Sequence, residues 1–209
     1  MSLIILDFGS GNTSKNDIKY VERMIDELKA VDTGKHEIVI KWQLFKSAEP
    51  NIPLNPVIFD QAYVYAREHG YKTTASVFDL GALRFLMRHD IPFVKIANNP
   101  KWYWLAGEVP RKIPVYVSCG SADITPPADT DIWMFCISKY PATVAEYEER
   151  FNLNDLHSTE FGLSDHTTDF TLWHKYEPDI YEWHYKLADS TGLDAGDFAR
   201  TPEQLREIL

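Results

Sequence analysis

The feature that most restricts this chain is a repeated change of hydrophobic period, from short apolar runs to helical spacing and back, along its 209 residues. Residues 3–9 (LIILDFG) read as a buried strand, and NTSKND supplies capping side chains for an amphipathic helix over 15–31. HEIVIKWQLF at 36–45 reads as the second strand. Asn55-Pro56 opens a helix over 57–69, closed by His69-Gly70, and YKTTASVF gives a third strand ahead of a helix in DLGALRFLMRHD. FVKIAN, VYVSCG and IWMFCIS supply three more strands, with a short helix in KWYWLAGEV and a loop, SADITPPADTD, between them. A helix in TVAEYEERFN, a strand near 158–165, a short helix near 168–176, the strand IYEWHYKL and a helix in TPEQLREIL complete the order. Strands alternating with helices predict a parallel sheet. About eight such units predict a closed (β/α)8 TIM barrel in one domain over residues 1–209, compact beside the roughly 250 residues typical of the architecture. The competing architecture, an open doubly wound sheet, has a weak signature here. DFGSGNTSKN follows the first strand but lacks the third glycine of GxGxxG.

Composition removes several classes of function. With 21 Lys+Arg against 31 Asp+Glu the formal charge is −10, and no block of basic residues provides a nucleic-acid surface. No apolar run approaches the roughly 18 residues that span a bilayer, and MSLIILDFGSG lacks the basic start and cleavage site of a signal peptide. A cytoplasmic protein without nucleic-acid or membrane partners is therefore expected. Cys119 and Cys136 sit in apolar strands and read as buried thiols.

Polar residues interrupt the strands with period two, and a strand turns alternate residues to opposite faces. In EIVIKWQLF, Glu37, Val39, Lys41 and Gln43 share one face, while Ile38, Ile40, Trp42 and Leu44 share the other. In IYEWHYKL, Glu182, His184 and Lys186 oppose Tyr181, Trp183 and Tyr185. The bulky apolar sets suit a helix layer, which directs the polar sets into the barrel. Charges there cost free energy unless paired, hydrated or bound to a ligand. Exposed edge strands with one wet face are the alternative. Lys95, Ser118, Ser138 and the run Ser164-Asp165-His166 repeat the pattern near strand ends, where a (β/α)8 barrel gathers its active site. Lys41 and Lys95 with the hydroxyls of Ser76, Ser118, Ser138 and Ser164 suit a small anionic ligand. A Schiff base on either lysine, or a plain ion pair with a buried carboxylate, is also compatible. His166 and His184, in adjacent units, can share one divalent ion. His36, His69, His89, His157 and His174 suit solvated or capping roles.

The segments IKWQLFK, DIPFVKIA, VYVSCG, FCISKYPA, GLSDHT and EWHYKL, with DAGDFARTPEQL after them, resemble in order those of the N-acetylneuraminate (sialic acid) synthase family. The resemblance implies a (β/α)8 barrel that condenses phosphoenolpyruvate with N-acetylmannosamine or a similar aldose and releases phosphate. It also implies a divalent metal, typically manganese with magnesium possible, on His166 and His184 to polarise the sugar aldehyde. Lys41, Lys95, Ser76, Ser118, Ser138 and Ser164 match positions that hold phosphoenolpyruvate, Ser76 standing where the family has Thr and Ser138 where many members have Asn, and Asn98 is counted with the substrate-binding residues. Gln43, Tyr140 and Asp7 match sugar-side positions, Asp7 in place of Glu, and either Asp194 or Asp197 matches a late aspartate.

Two departures qualify the resemblance. Where the family reads Lys-Ile-x-Ser-Gly-Glu, this chain reads Lys95-Ile96-Ala97-Asn98-Asn99-Pro100, so proline occupies the position of the catalytic glutamate. The antifreeze-like domain that follows the family's barrel is not expected, since the sequence ends at Leu209, and an arginine reaching the sugar from a partner subunit goes with it. A homo-oligomer is compatible with the sequence, the swapped dimer less so. The expectations are thus a synthase of trimmed form or, alternatively, a phosphoenolpyruvate- and metal-binding protein without turnover.

Overall fold

The computed structural model describes residues 1–46, 50–120 and 126–209. Residues 121–125 of the expected SADITPPADTD loop lie outside that set. Eight strands form: β1 (Leu3–Asp7), β2 (Glu37–Leu44), β3 (Lys72–Val77), β4 (Val94–Ile96), β5 (Val115–Cys119), β6 (Ile132–Cys136), β7 (Phe161–Asp165) and β8 (Ile180–His184). Each pairs in parallel with its successor, and β8 pairs with β1, closing the barrel. Closure leaves neither an open doubly wound sheet nor a wet antiparallel edge.

The helices follow their capping residues more closely than their periodicity. The helix expected over 15–31 is α2 (Ile18–Lys29), and a separate short helix, α1 (Gly11–Ser14), precedes it. Lys15 and Asn16 take φ of 58° and 47°, which ends α1, and the Asp17 carboxylate then accepts from the Lys19 N–H at 2.9 Å to start α2. Asn55 opens α3 (Pro56–Glu68) and Asp79 opens α4 (Leu80–Leu86) in the same manner. Pro100–Glu108 is a 3₁₀ segment. Thr143 and Thr201 build capping boxes on α5 (Val144–Arg150) and α7 (Pro202–Leu205), with α6 (Thr171–Tyr176) between them.

The period-two alternation divides the apolar residues into two layers. Ile4, Leu6, Ile40 and Trp42 face outward and pack with Met24, Ile25 and Phe59 of the helices. The inward residues Ile5, Val39, Phe93, Ile132 and Met134 form a separate cluster, a floor inside the barrel. Two expected interior residues lie elsewhere. Glu37 is exposed at the N-terminal rim and accepts from Lys72 at 2.8 Å, because it precedes the level at which the barrel closes over its contents. Lys186 lies beyond the end of β8, and its ammonium donates to the carbonyls of Ala195 and Gly196 at 3.1 and 2.8 Å.

Gly162 lets the floor close. A Cβ there would stand 2.5 Å from Met134 Sδ and 3.0 Å from Ile180 Cγ2. Gly162→Ala is expected to destabilise the fold by about 1–3 kcal/mol through overpacking, measured by urea unfolding, and an unchanged midpoint contradicts this account of the floor.

Candidate active site

Above the apolar floor, the next inward position of every strand carries a polar group or a thiol. Asp7 ends β1, Lys41 and Gln43 lie on β2, Ser76 on β3, Lys95 on β4, Ser118 on β5, Cys136 on β6, Ser164 on β7, and Glu182 and His184 on β8. Asn98, Ser138, Tyr140, His166 and Asp194 join them from the loops at the C-terminal face, and together they line a cavity of about 640 Å³. All thirteen candidate residues from the sequence line this one cavity.

Its electrostatics rest on alternating charges. Lys41 Nζ lies 2.6 Å from Asp7 Oδ2 and 4.0 Å from Glu182 Oε1, and Lys95 Nζ lies 3.4 Å from Glu182 Oε2. Each lysine also donates to a serine, Lys41 to Ser76 Oγ at 3.1 Å and Lys95 to Ser118 Oγ at 2.5 Å. Burial works against the Lys41 ammonium, but Asp7 and Glu182 beside it hold its pKa above the ordinary lysine value. At Lys95 burial prevails over the attraction of Glu182 and the pKa is lowered. Burial likewise opposes ionisation of Asp7 and Glu182, yet the neighbouring lysines keep both carboxyls below their ordinary values. Ser164 Oγ donates to Glu182 Oε1 at 2.9 Å, while Glu182 Oε2 is buried without a hydrogen bond.

The two histidines meet on one side of the cavity with ring centroids 5.2 Å apart. His166 Nδ1 is 2.7 Å from the Ile137 carbonyl, which can only accept, so Nδ1 carries the hydrogen and Nε2 the lone pair. Burial, with His184 beside it, brings the His166 pKa down to about 4, and burial lowers that of His184. With Nδ1–H committed to the Ile137 carbonyl, His166 Nε2 offers the lone pair an ion ligand requires. His184 Nδ1 is buried without a hydrogen bond, 3.5 Å from Asp194 Oδ1 and 3.8 Å from Asp7 Oδ2. Among the described residues no three His, Cys, Asp or Glu side chains are grouped for an ion. A divalent ion here would therefore take two imidazoles from the protein, a donor set that His166 and His184 fit.

Gln43 Nε2 donates to Asp7 Oδ2 and to Asp194 Oδ1, each at 3.0 Å. Burial and the charge of Asp7 push Asp194 up to about 6. Asp197 is exposed, so Asp194 is the aspartate that reaches the site. Asn98 bridges three strand ends by accepting from the Gly120 N–H at 3.0 Å and donating to Ser138 Oγ at 2.9 Å.

A profile described as the NeuB family matches residues 41–209. This chain belongs to the NeuB family. No curated protein sequence matches it. Among solved structures, the NeuB-family barrel resembles N-acetylneuraminic acid (sialic acid) synthetase from Leptospira borgpetersenii serovar Hardjo-bovis, in complex with citrate, with a TM-score of 0.74 and 20% identity over 98% of this chain and 80% of that one. Spore coat polysaccharide biosynthesis protein E from Chromobacterium violaceum gives a TM-score of 0.76 at 17% identity, over 99% of this chain and 72% of that one. A truncated 3-deoxy-D-arabino-heptulosonate 7-phosphate synthase from Thermotoga maritima gives 0.66 at 9% identity, over 99% and 83% of the two chains. These three likenesses are of fold.

In this NeuB-family barrel Pro100 is exposed at the start of the 3₁₀ segment, and the β4 loop lines the cavity with Ala97, Asn98 and Asn99. No acid enters the cavity from that loop. Glu182, Cys136 and Phe198 also line the cavity without being among the thirteen. Glu182 is separated from His184 by one residue on the same strand face, a signal that the pattern EWH carried. Cys136 is held as a thiol by burial, its pKa raised to about 11. Phe198 packs 5.0 Å from the His184 ring and 4.9 Å from Tyr140, and a lone aromatic in an irregular segment gave no signal. Asp165, by contrast, turns away from the cavity to accept from the Tyr181 hydroxyl at 2.7 Å and the Trp183 indole at 3.1 Å.

The ion-paired core of the site has a stability signature. Below about pH 3.8, the ordinary Asp value, an unfolded Asp7 takes up a proton while the folded carboxylate stays ionised, so acid favours the unfolded chain. Asp7→Asn is expected to destabilise the protein by about 3–5 kcal/mol at pH 7 and to flatten the fall in stability below pH 4. Thermal unfolding across pH measures both, and an unaltered acid limb contradicts the Asp7–Lys41 pairing.

Proposed function

We propose that the protein condenses phosphoenolpyruvate with an aldose of the N-acetylmannosamine type to give a 3-deoxy-2-keto sugar acid and inorganic phosphate. The observation that carries this reading is the convergence of Lys41, Lys95, Ser76, Ser118 and Ser164 within one cavity that also holds the imidazoles of His166 and His184. Membership of the NeuB family supports the same reading.

In this account the lysines and serines bind the carboxylate and phosphate of phosphoenolpyruvate. The incoming anion takes over the lysine contacts that Glu182 makes in the free protein. Gln43, Asp7 and Asp194 orient the hydroxyls of the acceptor, and Tyr140 with Phe198 packs against its carbon skeleton. A manganese or magnesium ion on His166 and His184 would polarise the acceptor aldehyde. C3 of the enol forms the new bond to the aldehyde carbon as the carbonyl π pair moves to its oxygen; water adds at C2, one of its protons passing to that alkoxide, and phosphate leaves with the other as the C2–O bond breaks and the C2 ketone forms. Positioning of the two substrates and electrostatic stabilisation by the lysines carry the rate.

A second reading, binding of phosphoenolpyruvate and metal without turnover, is favoured by one observation. Pro100 cannot exchange a proton, and it lies on the surface. Acid/base assistance contributes about 10²–10⁴-fold where present.

A phosphate-release assay with Mn²⁺ and a panel of N-acetyl hexosamines and pentoses separates the readings. Condensation predicts release only when both phosphoenolpyruvate and an aldose are present, lowered by about 10²–10³-fold in Lys95→Met. Calorimetric binding of phosphoenolpyruvate without release from any aldose contradicts it and supports the second reading.

A further inference from the structure

Two buried tyrosines outside the barrel wall act on opposite sides of the cavity. Tyr103, in the 3₁₀ segment, donates its hydroxyl to the Ser118 carbonyl at 2.8 Å, and Tyr147, on α5, donates to the Ser164 carbonyl at 2.6 Å. Each thereby fixes the backbone of a serine whose hydroxyl faces a buried charge, Lys95 for Ser118 and Glu182 for Ser164.

Tyr147 makes two further contacts. Its oxygen accepts from the His166 N–H at 3.1 Å and from the Ile137 N–H at 3.4 Å. The carbonyl of that same Ile137 receives Nδ1–H of His166 at 2.7 Å. The ladder between β6 and β7 ends with the Cys136–Ser164 pair, so one phenol ties together the peptide groups just past the last rung. The side chain has no solvent exposure, and its hydroxyl hydrogen is committed to the Ser164 carbonyl. Removing the oxygen would leave two N–H groups and a carbonyl without this partner at the point where the His166 ring is anchored.

We propose that Tyr147 is a positioning residue for His166: its hydroxyl holds the Ile137 peptide, and through it the tautomer and direction of the imidazole. The functional consequence rests on the reading of His166 as an ion ligand. The groups that orient a metal-binding imidazole are commonly worth 10–100-fold in metal affinity, and here the orienting group is a carbonyl whose own position depends on Tyr147.

Tyr147→Phe deletes one oxygen and keeps the ring, and Tyr103→Phe is the matched comparison, since it deletes the corresponding oxygen at Ser118 without touching His166. In ¹⁵N–¹H NMR of the histidine rings in metal-free protein, wild type and Tyr103→Phe are expected to share one protected Nδ1–H signal from His166. Tyr147→Phe is expected to lose or move it. Calorimetry with Mn²⁺ should show affinity reduced about 10–100-fold in Tyr147→Phe and unchanged in Tyr103→Phe. An unaltered His166 signal in Tyr147→Phe, or equal effects of both variants, overturns the proposal. A wild type that takes up no Mn²⁺ overturns the ion-ligand reading, and the ring signal still decides the role of Tyr147. Should Tyr147→Phe fail to fold, 3-fluorotyrosine at position 147 retains all three bonds while changing the acidity of the hydroxyl. It is expected to displace the His166 Nδ1–H resonance, and no displacement overturns the proposal.

Discussion

Charge compensation inside a closed barrel is the constraint on which this structure depends. An isolated ammonium or carboxylate in the interior costs several kcal/mol even after relaxation. Here Asp7, Lys41, Glu182 and Lys95, all 3% exposed or less, form an alternating chain in which each stands within 4.0 Å of the next. Replacing such a group with packed hydrocarbon would commonly be neutral or stabilising. The apolar floor of Ile5, Val39, Phe93, Ile132 and Met134 shows that the interior of this barrel can be filled that way. The polar upper layer instead keeps its charges as mutual pairs, and under the proposed function an anion would compete with Glu182 for the lysines.

The surroundings hold this layer from outside. Asp165 receives Tyr181 and Trp183, Tyr147 spans β6 and β7, and Arg200 donates to the carbonyls of Thr167 and Asp169 at 2.9 and 2.6 Å. The Arg200 N–H also bonds the His184 carbonyl at 2.8 Å. The loop that carries His166 and the end of β8 that carries His184 are thus held by buried polar contacts. Four of the helices, α4 to α7, are seven residues or shorter.

The strand order and the facing of the strands were legible because period two is a property of the backbone itself: once Ile40 and Trp42 face the helices, Lys41 must face inward. Height along the barrel axis was not legible, since alternation assigns a face and not a level. Glu37 shares a face with Lys41 yet lies at the rim, and Lys186 shares one with His184 yet lies past the strand. The break between α1 and α2 was hidden because Lys15 and Asn16 adopt positive φ without a glycine to mark it. The choice between Asp194 and Asp197 depended on the path of an irregular segment that no periodicity describes. Nothing in the spacing of TVAEYEERFN showed where the Tyr147 hydroxyl would go.

The most direct measurement of the central claim is diffraction from crystals soaked with phosphoenolpyruvate and Mn²⁺, collected at the manganese edge. The account predicts an anomalous peak between the imidazoles of His166 and His184, and phosphoenolpyruvate density against Lys41 and Lys95 with Glu182 displaced from at least one lysine. Manganese bound outside the cavity, or phosphoenolpyruvate bound away from lysines still paired with Glu182, would contradict it.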